Sequence, residues 1–134
     1  AVKGICAAGE IVKKDGAILC LSHCGDGIPH GSDFHEIMGM RESPEELLAM
    51  LEEPSFTRRE AWQAHRLASV QVRAEVRLFS TLAQEEAARL GCIPVSDPAA
   101  TMGELVRGRP GARVAVLRYG PLSIPYLTNE GGVT

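Results

Sequence analysis

The sequence predicts an α/β domain, a mainly parallel sheet of about four strands with helices on both faces. Three observations predict it. Short strand-forming runs alternate with segments whose apolar residues recur at helical spacing, the order that builds parallel sheets through helical crossovers. One run, residues 17–21, is apolar on both alternating faces: Ala17, Leu19 and Leu21 face one way, Ile18 and Cys20 the other. A central strand covered on both sides reads this way. Finally, helix ends are marked by caps, with Ser43-Pro44-Glu45-Glu46 and Asp97-Pro98 as starts and Gly91 and Gly108 as stops.

Taken in order, Val2, Ile5, Cys6, Gly9 and Val12 recur at helical spacing and predict a helix to about Lys13. Asp15-Gly16 turns the chain into the strand at 17–21. A polar loop at 22–31 follows, then a short helix over 33–40. In the helix opened by Ser43, Leu47, Leu48 and Leu51 form the apolar face, and Pro54 lies beyond its end. Thr57 with Glu60 has the capping-box spacing and predicts a long helix to about Val72, with Ala61, Ala64, Leu67 and Ala68 as its core stripe. Residues 75–80 read as a second strand, 81–90 as a helix, and 92–95 as a short third strand. A helix runs from Asp97-Pro98 to Arg107, and Arg113-Val114-Ala115-Val116-Leu117 reads as a fourth strand. Residues 119–126 have irregular turn chemistry. The domain is expected over residues 1–128, with 129–134 a frayed tail.

Composition bounds the function. With 134 residues the chain suffices for one domain with its own core. It is 45% hydrophobic and 23% charged, which excludes a disordered segment, and 4% aromatic, so aliphatic residues must fill the core. A net charge of −3 without a basic block argues against nucleic acid. No apolar run approaches the roughly 20 residues that span a bilayer. Cys6, Cys20, Cys24 and Cys92 read as free thiols of a reducing compartment, hence a cytoplasmic location. The first residues already look like the inside of a helix and lack an initiator Met, as in a piece of a longer protein.

In sheets of this kind ligands sit at the carboxyl ends of strands. Those ends are 22–27, 80–81, 96–97 and 119–121. The first gathers Ser22, His23, Cys24, Gly25, Asp26 and Gly27. Metal binding is a weak reading there, because Cys20, His23, Cys24, His30 and His35 lack a second pair at zinc-ligand spacing. A nucleophilic Cys24 is also weak, because adjacent residues such as His23 and Cys24 point apart. The glycines at 25, 27 and 31 would let backbone amides approach an anion, but they match neither a dinucleotide fingerprint nor a P-loop. The alternatives left open are a non-catalytic binding domain that uses the 22–31 loop and a small cysteine or zinc enzyme centred on His23, Cys24 and His30.

Two isolated residues stand out more. Trp62 lies one position off its helix's core stripe, on a face with Arg66, Ser69 and Arg73. It is a partly covered surface residue or the wall of a cleft. Lys3 places a cation near a helix start, where the dipole opposes it, unless the true start lies upstream.

The run Ala1-Val2-Lys3-Gly4, Gly16-Ala17-Ile18-Leu19 leading into Cys24-Gly25-Asp26-Gly27, Phe34-His35-Glu36, Trp62-Gln63-Ala64, and Val114 to Pro121 resemble the C-terminal domain of the nickel-dependent lactate racemase family. The resemblance covers nearly the whole chain. It implies a single domain of a larger two-domain isomerase, a racemase or epimerase of 2-hydroxy acids. An N-terminal domain would hold a nickel pincer nucleotide and the acid/base histidines, and this domain would close the cleft over them. Its family contribution would be a Gln-x-x-Lys pair, of which Lys3 matches the lysine and the glutamine falls before Ala1, and a tryptophan matching Trp62. Lys3 would then bind substrate and Trp62 would line the site, with the 22–27 loop as cleft wall. The fragment alone is expected to hold no cofactor and to be inactive.

Overall fold

A computed structural model describes residues 1–127, so the tail expected at 129–134 lies outside the described residues. The chain runs α1 (Val2–Gly9), β1 (Gly16–Leu21), α2 (Asp33–Met38), α3 (Pro44–Leu51), α4 (Ala61–Gln71), β2 (Ala74–Phe79), α5 (Gln84–Arg89), β3 (Ile93–Pro94) and α6 (Pro98–Arg107), then a 3₁₀ turn at Gly120–Leu122. Several starts follow the capping chemistry read from sequence. Ser43 accepts from the Glu46 amide at 3.2 Å and Asp97 from the Ala100 amide at 3.0 Å, and proline fills the first turn after each.

Among the described residues the sheet is parallel and has three strands in the order β1-β2-β3. This corrects two expectations. Residues 113–117 form no strand, and Val114 and Val116 are 53% and 75% exposed. Alternating apolar residues make a strand only where a partner supplies backbone hydrogen bonds. Among the described residues 114–117 make none to the sheet. The second correction is that β1 is an edge strand and β2 is central.

The apolar look of both β1 faces has a different cause from central placement. Ile18 pairs in register with Val76 and Cys20 with Leu78, in the core shared with α1 and α4, on which α2 and α3 pack in turn. Ala17 and Leu19, on the other face, are half-buried, and α6 packs there against β1. Arg77 on that face reaches Glu104 of α6 at 3.8 Å. Helices thus lie on both faces, but unequally. The core joins Ile5 of α1, Ile37 of α2, Leu47 of α3, Ala64 and Leu67 of α4, and Val76 and Leu78 of β2.

Other boundaries shift by one turn or less. α1 ends at Gly9 and α2 at Met38, and β3 shrinks to a pair of residues. α4 starts at Ala61, after Glu60 rather than Thr57.

Candidate functional site

α1 and α4 each pack on the strand they lead into, and also on each other. A helix packed against the strand that follows it runs antiparallel to that strand. Its first turn therefore lies over the strand's carboxyl end, the ligand-binding edge of α/β sheets. The first turn of α1 carries Lys3, and that of α4 carries Trp62. Both residues sit outside their helix's buried stripe, which is Ile5, Cys6 and Gly9 on α1 and Ala64, Leu67 and Ala68 on α4.

The two residues line one groove of about 440 Å³. Lys3 of α1 and Glu10 just past its end form one wall, and Trp62, Gln63 and Arg66 of α4 the other. The 3₁₀ turn contributes Pro121 and the segment after it Ile124 and Pro125. The turn is held against the start of α1, where a carbon added to Gly4 would sit 3.7 Å from Pro121 Cδ. Ile124 remains 90% exposed and Trp62 63%, so the groove presents apolar surface to solvent.

Its charges are unequal in availability. Arg66 faces Glu10 at 3.7 Å, with both side chains more than half exposed. Such a solvent-screened pair contributes about 0–1 kcal/mol. Lys3 makes no ion pair or hydrogen bond among the described residues. It is a cation with three donors beside an indole wall, suited to a small carboxylate or an alcohol oxygen.

None of the residues of the 22–27 loop lines the groove. The loop is tied to the one after β2, where the Thr81 hydroxyl donates to the His23 carbonyl at 2.7 Å and the Thr81 amide at 3.1 Å. Cys24 takes a left-handed backbone with φ 51°, and its thiol donates to the Ser22 hydroxyl at 3.4 Å. Gly25 sits directly over the His23 ring, where a side-chain carbon would come within 2.5 Å of it. Asp26 and Gly27 are exposed. The His30 and His35 rings meet edge-on at 5.3 Å, and His30 lies 3.8 Å from Glu86. Among the described residues no three His, Cys, Asp or Glu side chains converge on a metal-sized site. Burial pushes the Cys20 thiol up, and the Cys92 thiol up to about 12, so neither is poised as a nucleophile.

The launch of α4 is where local sequence chemistry fails. Thr57 does not cap it. Glu60 is the N-cap residue and adopts φ 59°, a left-handed conformation rare for a non-glycine residue. Its carboxylate turns away and accepts the Phe34 amide in the first turn of α2 at 2.9 Å. Arg58 beside it donates from Nε to Asp33 at 3.1 Å and also pairs with Glu36. Those carboxylates, Glu36 first and then Asp33, push the guanidinium pKa up.

Sequence reasoning placed Lys3 and Trp62 separately, and also placed Arg66 on Trp62's face and a loop at 119–121. Glu10, Gln63 and the 123–125 strap were missed. The helical phase marks Glu10 as lying one turn past Cys6. No local pattern says that a distant strap returns to α1.

Comparison with known proteins follows this geometry. A family model described as the lactate racemase C-terminal domain matches residues 1–120. A search of curated proteins finds no match. Among solved structures, the lactate racemase apoprotein from Thermoanaerobacterium thermosaccharolyticum superposes with a TM-score of 0.63 at 22% identity. The match covers 79% of this chain and 27% of that one. At this identity the superposition speaks for the fold, a parallel sheet with helices.

Proposed function

The chain belongs to the lactate racemase C-terminal domain family, and from that premise we propose that it serves a racemase or epimerase of 2-hydroxy acids. In this reading it closes an active-site cleft against an N-terminal domain of the same protein. The chain spans 27% of the racemase it superposes on, so the activity of the whole protein belongs to the proposal. The observation that carries the reading is the groove shared by Lys3 and Trp62, which lie far apart in sequence and come from separate helices.

Each groove residue has a definable task. The Lys3 ammonium binds the substrate carboxylate or its hydroxyl oxygen, and a charge-assisted hydrogen bond of this kind contributes about 1.5–3 kcal/mol. The Trp62 indole covers the reacting carbon and excludes water, which strengthens electrostatic interactions within the cleft. Lysine, arginine, glutamine and glutamate around an indole do not form a donor set for nickel. The nickel pincer nucleotide implied by the family is therefore assigned to the N-terminal domain. The 22–27 loop is a structural edge in this reading, and a cytoplasmic location goes with it.

The test uses the whole protein with its cofactor installed and a panel of 2-hydroxy acids. Lys3→Ala should lower kcat/KM by about 10- to 100-fold across the panel, the loss of one charged hydrogen bond. Trp62→Phe should cost less. Unchanged racemisation in both variants would remove these roles.

A further inference from the structure

We propose that Glu60 is a positioning residue for Trp62, holding the first turn of α4 in a strained backbone conformation by a side-chain bond to α2. The inference rests on the reading of Trp62 as a wall of the active-site cleft, and it adds a residue outside the groove that sets where that wall stands.

Glu60 has φ 59° and ψ 1°. A residue with a Cβ occupies this region only when its surroundings over-determine it, and such positions concentrate at functional sites. Here the surroundings can be named. The Glu60 carbonyl accepts the first bonds of α4, from Gln63 at 2.9 Å and Ala64 at 3.2 Å. Its carboxylate holds the Phe34 amide at 2.9 Å. Phe34 is buried in the core, so it is a fixed anchor. Arg58 fastens the same turn to Asp33 and Glu36 of α2. One residue therefore holds both helix starts, and Trp62 is the second residue of the helix it launches.

Trp62 depends on this launch. Its side chain is 63% exposed, and among the described residues its indole makes no hydrogen bond or ring stacking. The ring's place in the groove is consequently inherited from the backbone of the first turn. Releasing Glu60 from Phe34 lets that turn relax toward an ordinary cap and swings the indole. A misplacement of about 1 Å at a reacting centre can cost about 10²-fold in rate.

The experiment uses the whole cofactor-loaded protein, labelled with fluorotryptophan and read by fluorine NMR. The Trp62 resonance is assigned by its loss in Trp62→Phe. Glu60→Ala and the shorter Glu60→Asp, which tolerates the left-handed backbone better, should both shift or broaden that resonance and lower kcat/KM about tenfold or more. Glu60→Gln keeps an acceptor for the Phe34 amide and should restore the resonance and most of the activity. Ser43→Ala removes the cap of α3 away from the groove and should leave both readouts in place. The proposal is overturned if Glu60→Asp leaves the resonance unmoved, or if Ser43→Ala moves it as far. If the Glu60 variants move the resonance while Trp62→Phe leaves the kinetics unchanged, the positioning stands and the site role of Trp62 falls.

Discussion

Gly9→Ala tests whether the groove's two helices are set by direct contact. Gly9 is the last residue of α1 and is buried against α4. A Cβ there would sit 2.6 Å from Val70 Cγ2 and 3.3 Å from Val70 Cγ1. Val70 cannot easily yield, because a β-branched side chain in a helix has one strongly preferred rotamer. Overpacking of this kind costs about 1–3 kcal/mol. Against it stands the helix propensity gained from Gly to Ala, at most about 1 kcal/mol. The net expectation is a loss of roughly 1 kcal/mol. With a slope near 2 kcal/mol/M this lowers the urea midpoint by about 0.5 M, followed by circular dichroism. The decisive arm is the background. Val70→Ala removes two methyl groups and costs about 1.6 kcal/mol or more. It also clears the clash, so Gly9→Ala should become neutral or stabilising when added to Val70→Ala. Equal destabilisation by Gly9→Ala in both backgrounds would refute the contact as the cause.

Two further predictions concern stability alone. Cys92 is buried with its thiol pushed from 9.0 to about 12, so between those values the folded state keeps a proton that the unfolded chain releases. Stability is fully present below the unfolded value and falls as pH rises through the window. Cys92→Val should lessen the drop in urea midpoint between about pH 8 and pH 10, and an equal drop in both proteins would refute the assignment. Ser43→Ala and Asp97→Ala each remove an N-cap acceptor. Each should cost about 1 kcal/mol by the same assay, and additively, since they cap separate helices.

Much of the fold was legible because its signals are local. The caps at Ser43 and Asp97, the stripe Ala64, Leu67, Ala68 and the turn at Asp15-Gly16 depend on neighbours a few positions away. Strand order does not. The run at 17–21 is apolar on both faces whether it lies at the centre or at an edge that α6 overlays, and only pairing distinguishes the two. Residues 113–117 show the same limit from the other side, since alternation that does not join the sheet is not one of its strands. Glu60 failed in another way. Thr57 and Glu60 have capping-box spacing, but the Phe34 amide at 2.9 Å offers the carboxylate a tertiary partner that the spacing cannot register. The candidate site was legible as two anomalies, a tryptophan off its stripe and an unexplained lysine, but not as one groove.

These failures and the site share a physical origin. Parallel strands with helices returning antiparallel bring the first turns of α1 and α4 to one edge of the sheet, where Lys3 and Trp62 line one groove. The topology fixes only the edge. It does not fix how the turns are angled, and that is set by contacts remote in sequence: Gly9 against Val70, Pro121 against Gly4, and Glu60 bound to Phe34. Local rules give way at Glu60 because the chain there serves two helices at once. A left-handed residue with a Cβ costs of order 1–3 kcal/mol, and a more ordinary cap would have avoided that cost while leaving the indole without its tether to α2. The strained residue therefore lies two positions before Trp62, at the start of the helix that carries the wall of the groove.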